Sequence, residues 1–396
     1  MNPQPPFRRP LIARFRRQWG VMVGGAAVAA LVLTGCADTT GPAETDAATA
    51  GGVPAAVADA VAAGYEGTST APPDSGPAPA ADKSVWILSA FQQIQGLARL
   101  AERAEEAATA LGWSSDICDG QNNVGGGWAA CVRQAVAAGA DAIVLMSIDC
   151  APVKAPLQEA RDAGVAIVSL TSFDCDDPTQ GGSEPLFDVT IGYLDDVADP
   201  QTFFESMGRL RADWIIAQTG GEAKVLQVKF DGVAFGAYLA KGFEEQLATC
   251  SGCEIVSTLA LTPADVPNIR QKFETALLQA SDADAVSVDV DFMFTAGIQP
   301  ALVAAGRDLV VAGGECGDAN LDYIRAGGGQ QMCIGNSLGH MSYAAMDELN
   351  RYFAGEEPAV EGMGWQLVDA DNNLPPAGEE FDGPIDYVSA YTSIWK

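Results

Sequence analysis

Of 396 residues a single one, His340, is a histidine, and Lys and Arg together number 22 against 52 Asp and Glu. The scarcity of positive charge excludes one broad class of partner. A formal charge of −30 repels nucleic acid and other polyanions, and so few cations cannot line a basic groove. Long apolar runs are missing as well: beyond Val21 to Leu33 no stretch reaches the ~20 apolar residues that a membrane span requires.

What is present starts with Arg8, Arg9, Arg14, Arg16 and Arg17, followed by the apolar run Val21 to Leu33 and the small residues Thr34-Gly35 before Cys36. That order is the order of an export signal. Leu33-Thr34-Gly35-Cys36 resembles a bacterial lipobox, which implies that Cys36 is lipidated and begins the mature protein. Acyl chains there would hold the chain on the outer face of the bacterial cell membrane. Arg8-Arg9 also suits a twin-arginine route, but a general charged leader is the better reading of the pair. Without the five leader arginines the charge becomes about −35. Surface acidity of this kind fits a solvated surface as well as a cationic ligand, and names no substrate.

Nine cysteines less Cys36 leave eight, an even number in an oxidising compartment, which points to disulfides. Neighbours in sequence pair as Cys118 with Cys131, Cys150 with Cys175, Cys250 with Cys253, and Cys316 with Cys333, among 105 connectivities in principle. Cys250-Ser251-Gly252-Cys253 has redox spacing but lacks a thioredoxin-like setting, so a structural bridge is the better reading.

Residues 36–83 are Ala, Gly, Pro, Thr, Ser and Asp with few large apolar side chains, the composition of a flexible tether. From Ser84 onward short apolar strands alternate with helical periodicity. Strands are expected at Ser84 to Leu88, Asp141 to Met146, Val165 to Leu170, Ala223 to Val228, Glu254 to Ser257, Ala285 to Val288 and Leu309 to Ala312, with helices between them. This alternation predicts βαβ units and α/β lobes, each built on a parallel sheet covered on both faces. Two such lobes in tandem leave a cleft at the carboxyl ends of their strands.

The segments VWILSAFQQ, CSGCEIV, DGVAFGAYLAKGFEEQL, SVDVDFMFTAGIQPAL and DYVSAYTSIW, in this order, resemble the ribose-type (type I) periplasmic sugar-binding proteins of ABC importers. The resemblance runs from about Ser84 to the C-terminus. It implies two Rossmann-like parallel-sheet lobes joined by a three-crossing hinge, with crossings near Asp195, Ser337 and Val368. The expected division is a leader over 1–35, a tether over 36–83, a first lobe over 84–195 plus 338–367, and a second over 196–337 plus 368–396. It also implies a non-enzymatic monomer that closes on a neutral sugar or polyol and is read by an ABC permease and its ATPase. No cofactor and no metal are expected.

A sugar offers apolar C–H faces and a rim of hydroxyls, which call for aromatic plates and for planar groups that pair with two hydroxyls. Candidates past the strand ends are Phe91, Gln92, Asp149, Phe173 and Asp174 in the first lobe. In the second they are Asp231, Phe235, Asp289, Asp291, Glu315 and Asn336. Asp289 and Asp291 alternate along a strand and would share one face. Each aspartate could instead cap a helix, and each phenylalanine could be core.

Two other motifs compete. Gly335-Asn336-Ser337-Leu338-Gly339 fits the G-x-S-x-G of a serine hydrolase, but His340 stands too close to Ser337 in the chain to serve as its base. Asp369, Asp371, Asn373 and Glu380 occupy EF-hand positions, yet Leu374 stands where the turn needs glycine. An acidic surface loop is the expectation there. A ligand sensor of the same fold, signalling to a receptor, is indistinguishable from an importer component by sequence.

Overall fold

The computed structural model describes residues 52–197 and 199–396; the leader, Cys36 and the tether up to residue 51 lie outside the described residues. The first described element is a helix, α1 (Ala55–Glu66). The apolar runs then build two sheets. In the first, β1 (Ser84–Ser89), β2 (Ser114–Asp119), β3 (Ala142–Met146) and β4 (Ala166–Leu170) lie in the order β2-β1-β3-β4, every pair parallel. Side chains alternate between faces along a strand, and both faces are covered. Ala142, Val144 and Met146 join one core cluster, while Ile143 and Leu145 join another. The intervening helices are α2 (Gln95–Ala110), α3 (Gly127–Ala138) and α4 (Cys150–Asp162).

The second lobe opens with α5 (Pro200–Gln218) and carries β5 (Lys224–Phe230), α6 (Ala234–Leu247), β6 (Glu254–Leu261), α7 (Ile269–Gln279), β7 (Ala285–Val288), α8 (Gln299–Ala305), β8 (Val310–Ala312), α9 (Asp318–Ala326) and β9 (Met332–Gly335). After β9 come α10 (Leu338–Ala354), β10 (Gln366–Asp369) and α11 (Tyr387–Ile394). The second sheet has the order β10-β9-β8-β7-β5-β6, parallel except for β10, which runs antiparallel to β9. Two lobes of α/β structure on parallel sheets are thus what the alternation of strand and helix predicted.

Three boundaries differ from expectation. Gln366 and Leu367, assigned from sequence to the first lobe, pair with Gly335 and Ile334 in the second sheet. The C-terminal helix α11, assigned to the second lobe, packs on α10, which itself packs on α2 of the first. Tyr391 and Trp395 stack against Tyr343 of α10, so aromatic burial draws the C-terminus back across the hinge. Finally, the tether does not run free to residue 83. Val57 and Val61, one turn apart on α1, are buried against α5 and β10, and the Trp214 indole donates to the Tyr65 hydroxyl at 2.9 Å. Few apolar residues suffice because these three fall on one helical face.

The chain between α1 and β1 then follows the hinge. Thr68 and Thr70 donate backbone N–H groups to Trp365 and Gly362 at 2.9 Å each, and the carbonyls of Ser75 and Pro77 accept from Arg351 and Asn350 of α10. Beside them Glu361 donates to the Gly192 carbonyl at 2.8 Å. Glycine is needed at 192 because a β-carbon there would sit 2.5 Å from the Ala359 carbonyl oxygen.

Four disulfides join the cysteines that are neighbours in sequence: Cys118–Cys131, Cys150–Cys175, Cys250–Cys253 and Cys316–Cys333. Asp369, the first position of the calcium-like spacing, is used by protein donors. Its carboxylate accepts from the Tyr65 hydroxyl, from the N–H groups of Asp371 and Asn372, and from the Asn372 amide. No helix among the described residues is long and apolar enough to cross a membrane.

Candidate functional site

Where the lobes meet near the hinge, a cavity of 30 Å³ is enclosed by Gln95, Gly96 and Arg99 of the first lobe and Glu315 to Asp318 of the second. Asn336, Leu338 and Gly339 at the β9–α10 crossing line it from a third side, and Glu380, Phe381 and Asp382 from a fourth. An open groove of 390 Å³ shares Arg99, Asp318, Glu380 and Asp382 with it. The lining residues explain its polarity. Gln95 and Gly96, Gly317 and Asp318, and Leu338 and Gly339 are the first residues or caps of α2, α9 and α10. Three helix N-termini therefore converge, each with N–H groups that lack intrahelical acceptors and a partial positive charge.

Asn336 is 5% exposed. Its amide nitrogen donates to the Met341 sulfur at 3.4 Å, while its oxygen Oδ1 has no partner among the described residues. A buried carbonyl left unpaired costs about 1–3 kcal/mol, so the position is unfavourable until a donor arrives. Across the cavity Glu315 accepts from the Asp291 N–H at 2.9 Å. Burial, reinforced by the neighbouring Asp291 carboxylate, raises the Glu315 carboxyl to about 7. Near neutral pH it can thus donate as well as accept. At the rim the Gln95 amide donates to Asp318 Oδ2 at 2.7 Å, joining the two lobes.

Glu315 and Asn336 are the sequence candidates that face this cavity. Gln92 lies close behind β1: its N–H donates to Asp119 at 3.1 Å and its side-chain nitrogen is buried without a partner among the described residues. Phe91 makes the turn into α2, its carbonyl accepting from Ile94. Asp231 follows β5, with its N–H on the Leu261 carbonyl.

Other candidates serve the lobes' contact away from the cavity. Asp149 receives the N–H of Phe173 and, at 3.0 Å, the N–H of Ala234 from the opposite lobe. Burial raises its carboxyl to about 6. Phe173 lies against Tyr238 and Phe204, and Phe204 against Phe235, so these expected plates are consumed by an aromatic contact between lobes. The Tyr238 hydroxyl donates to Asp177 at 2.8 Å.

Three aspartates are structural. Asp174 accepts from the N–H groups of Cys175, Leu186 and Phe187 and folds its own loop. Asp289 and Asp291 do not share a face as strand alternation suggested, because β7 ends at Val288. Asp289 pairs with Arg211 at 2.6 Å, both side chains being at most 1% exposed. Asp291 instead accepts from Gly314, Cys316, Gly317 and the Gln330 amide, holding the loop that presents Glu315. Both carboxylates are buried, at 0% and 3% exposure, and both are engaged by protein donors.

The hydrolase motif resolves in the same way. Ser337 caps α10, accepting from the His340 N–H at 3.0 Å, and its hydroxyl donates to Asp382 at 2.8 Å. The His340 ring turns away, with Nε2 2.8 Å from the Glu361 carbonyl, and burial lowers its pKa to about 4. Among the described residues the serine hydroxyl meets the Asp382 carboxylate and no imidazole, so the His base of a Ser-His-acid triad is missing.

Sequence reasoning passed over Gln95, Arg99, Asp318 and Phe381. Gln95 and Asp318 are the first residues of α2 and α9 and Arg99 lies one turn inside α2, all past the strand-end loops, and Phe381 directly follows a stretch that reads as an acidic loop. Arg99 is engaged by Glu102 and by Glu380, at 3.0 Å each.

Two parallel-sheet lobes, a multiply crossed hinge and a polar cavity between the lobes define the class of solute-binding proteins rather than of enzymes. The chain belongs to the periplasmic binding protein family, whose periplasmic binding protein domain matches residues 85–357. Among solved structures, a periplasmic ribose ABC transporter protein from Conexibacter woesei is similar at 21% identity and TM-score 0.59, over 75% of this chain and 94% of that one. An ABC transporter periplasmic solute binding protein from Actinobacillus succinogenes with bound D-allose has 17% identity and TM-score 0.62, over 73% and 98%. The Caulobacter myo-inositol binding protein, bound to myo-inositol, has 19% identity and TM-score 0.62, over 76% and 98%. Curated proteins give no match to the sequence.

Proposed function

We propose that this chain is the extracytoplasmic, lipid-anchored receptor of an ABC importer that captures a small neutral sugar or polyol between its lobes. The observation that carries this reading is the buried Oδ1 of Asn336, without a partner among the described residues, on a residue that lines the cavity together with Glu315. A hydroxyl is the ligand group suited to both: it donates to the Asn336 carbonyl, and it exchanges hydrogen bonds with a carboxyl poised near neutrality. The bound D-allose and myo-inositol of the structural relatives support a polyhydroxylated ligand. The cavity of 30 Å³ is smaller than any sugar, so lobes or loops must part to admit one. Transport would follow when a permease and its ATPase recognise the ligand-closed form, with Cys36 as the anchor.

A thermal-shift screen of the mature chain against pentoses, hexoses, inositols and nucleosides tests the reading, since a ligand that binds the folded state alone raises its melting temperature. Stabilisation by a sugar or polyol, abolished by Asn336→Leu, is the expected result. A protein stabilised by none of these, or stabilised equally in the Asn336 variant, would overturn it.

A further inference from the structure

The cavity's fourth side comes from residues 380–382, beyond the span 85–357 that matches the family domain. Phe381 is the aromatic ring lining this cavity. Gly335, the last residue of β9, lacks a side chain where one would strike that ring: a β-carbon there would lie 2.5 Å from a Phe381 ring carbon. The ring therefore rests on the strand end immediately before Asn336. Its back packs on the cluster that contains Cys316, Cys333 and Val368, and it remains only partly buried.

Both flanking residues are anchored, and to different parts of the molecule. Asp382 accepts from the Ser337 hydroxyl at 2.8 Å and from the Tyr387 hydroxyl at 3.1 Å. Glu380 reaches across to α2 of the first lobe, pairing with Arg99 at 3.0 Å and also with Arg103. A half-exposed aromatic held between two such anchors is more constrained than covering a small apolar cluster requires. Arg99, the cation at the cavity, is at the same time committed to Glu102 and Glu380, so an anionic ligand would have to break existing pairs.

On the reading that the cavity takes a sugar or polyol, we infer that Phe381 is the specificity-determining plate against which the ligand's C–H face packs, seated by Glu380 as a positioning residue. The ligand class that results is a neutral sugar or cyclic polyol with an apolar face. Because Glu380, in the loop that follows β10 of the second sheet, pairs with Arg99 and Arg103 on α2 of the first lobe, its ion pairs also tie seating of the plate to lobe closure.

The experiment is titration calorimetry and stopped-flow binding of the full mature chain with D-ribose, D-allose and myo-inositol. Comparison is with Phe381→Leu, which keeps apolar packing without a flat ring, with Phe381→Trp, and with Glu380→Gln. Phe381→Leu is expected to weaken binding about tenfold, the loss of one aromatic face, while Phe381→Trp keeps it within about threefold. Glu380→Gln is expected to speed dissociation about fivefold and leave association nearly unchanged. Wild-type affinity in Phe381→Leu overturns the inference while leaving sugar capture intact. If Phe381→Leu does not fold, an unchanged dissociation rate in Glu380→Gln overturns it instead. A wild-type chain that binds none of the three probes removes both the inference and the reading it rests on.

Discussion

Asp149 at the start of α4 in the first lobe accepts a hydrogen bond at 3.0 Å from the backbone N–H of Ala234, the first residue of α6 in the second. A carboxylate is thereby set on the N-terminus of a helix in the opposite lobe, where charge and dipole attract. Removing it by Asp149→Ala leaves two buried N–H groups, of Ala234 and Phe173, without acceptors and is expected to cost the closed form about 1–3 kcal/mol. Hydrogen exchange at the Ala234 amide should accelerate at least several-fold while the strands of both sheets stay protected. Unaltered exchange there would mean that the contact does not hold the lobes together.

The pair Arg211–Asp289 belongs to the fold. Arg211 also donates to the carbonyls of Val288 and Asp289, at 3.0 and 3.1 Å, so one guanidinium gathers the end of β7. Asp289→Ala strands a buried cation and is expected to destabilise by about 3–5 kcal/mol. Urea denaturation reads this directly. A variant as stable as the parent but defective in binding would return Asp289 to the ligand site.

Asp289 also shows what sequence can and cannot convey. The strands were legible because five apolar residues in a row, as in Ala142 to Met146, have no other comfortable home than a sheet covered on both faces. Glu315 and Asn336 were legible because strand ends in such folds face the cleft. The role of Asp289 was hidden because its partner Arg211 lies 78 residues earlier, on a helix whose neighbours only the tertiary fold reveals. Phe381 was hidden for a related reason: its surroundings, Gly335 and Glu315, come together only through the tertiary fold. Helix α1 was missed because composition averages over a stretch, whereas docking needs just Val57, Val61 and Tyr65 on one face.

Several buried carboxyls set the pH dependence of stability. Burial raises Asp149, Asp213 and Asp289 to about 6, and Glu315 and Glu348 to about 7. In the unfolded chain the same groups titrate at about 4. Between those limits the folded state holds more protons than the unfolded one, so stability is lost as pH climbs through 6 and 7. In the opposite sense, Lys272 holds Asp265 down to about 2, a contribution lost only in stronger acid. The melting temperature should therefore be higher at about pH 5 than at about pH 8. A melting temperature that rises steadily from acid to alkali would contradict the burial of these groups.

Disulfide loops differ in what they remove from the unfolded chain. Cys150–Cys175 closes 25 residues and Cys250–Cys253 closes 3. The chain-entropy relation gives about 3.5 kcal/mol for the longer loop and about 1.6 kcal/mol for the shorter. Replacing both cysteines of each pair by serine, one pair at a time, should reproduce that order in denaturant midpoints. Equal losses would show that strain or packing, rather than loop closure, governs these bridges.

The docked segment between α1 and β1 makes the clearest demand on truncated proteins. A chain beginning at residue 52 retains α1 and the pairing of Thr68 and Thr70 with the hinge; one beginning at residue 83 loses both. Val57 and Val61 are 4% and 8% exposed, and burial of each side chain is worth about 1.5–3 kcal/mol. Their removal also bares the Trp214 indole and the carboxylate of Asp369, which now meet Tyr65. The shorter chain should therefore melt several degrees lower than the longer one. Because Thr68 and Thr70 lie along the crossing segment at Gly362 and Trp365, its amides there should exchange faster too. Equal melting temperatures for the two chains would restore the whole of residues 52–83 to the tether, and faster exchange confined to α5 would restrict the segment's role to covering one helix.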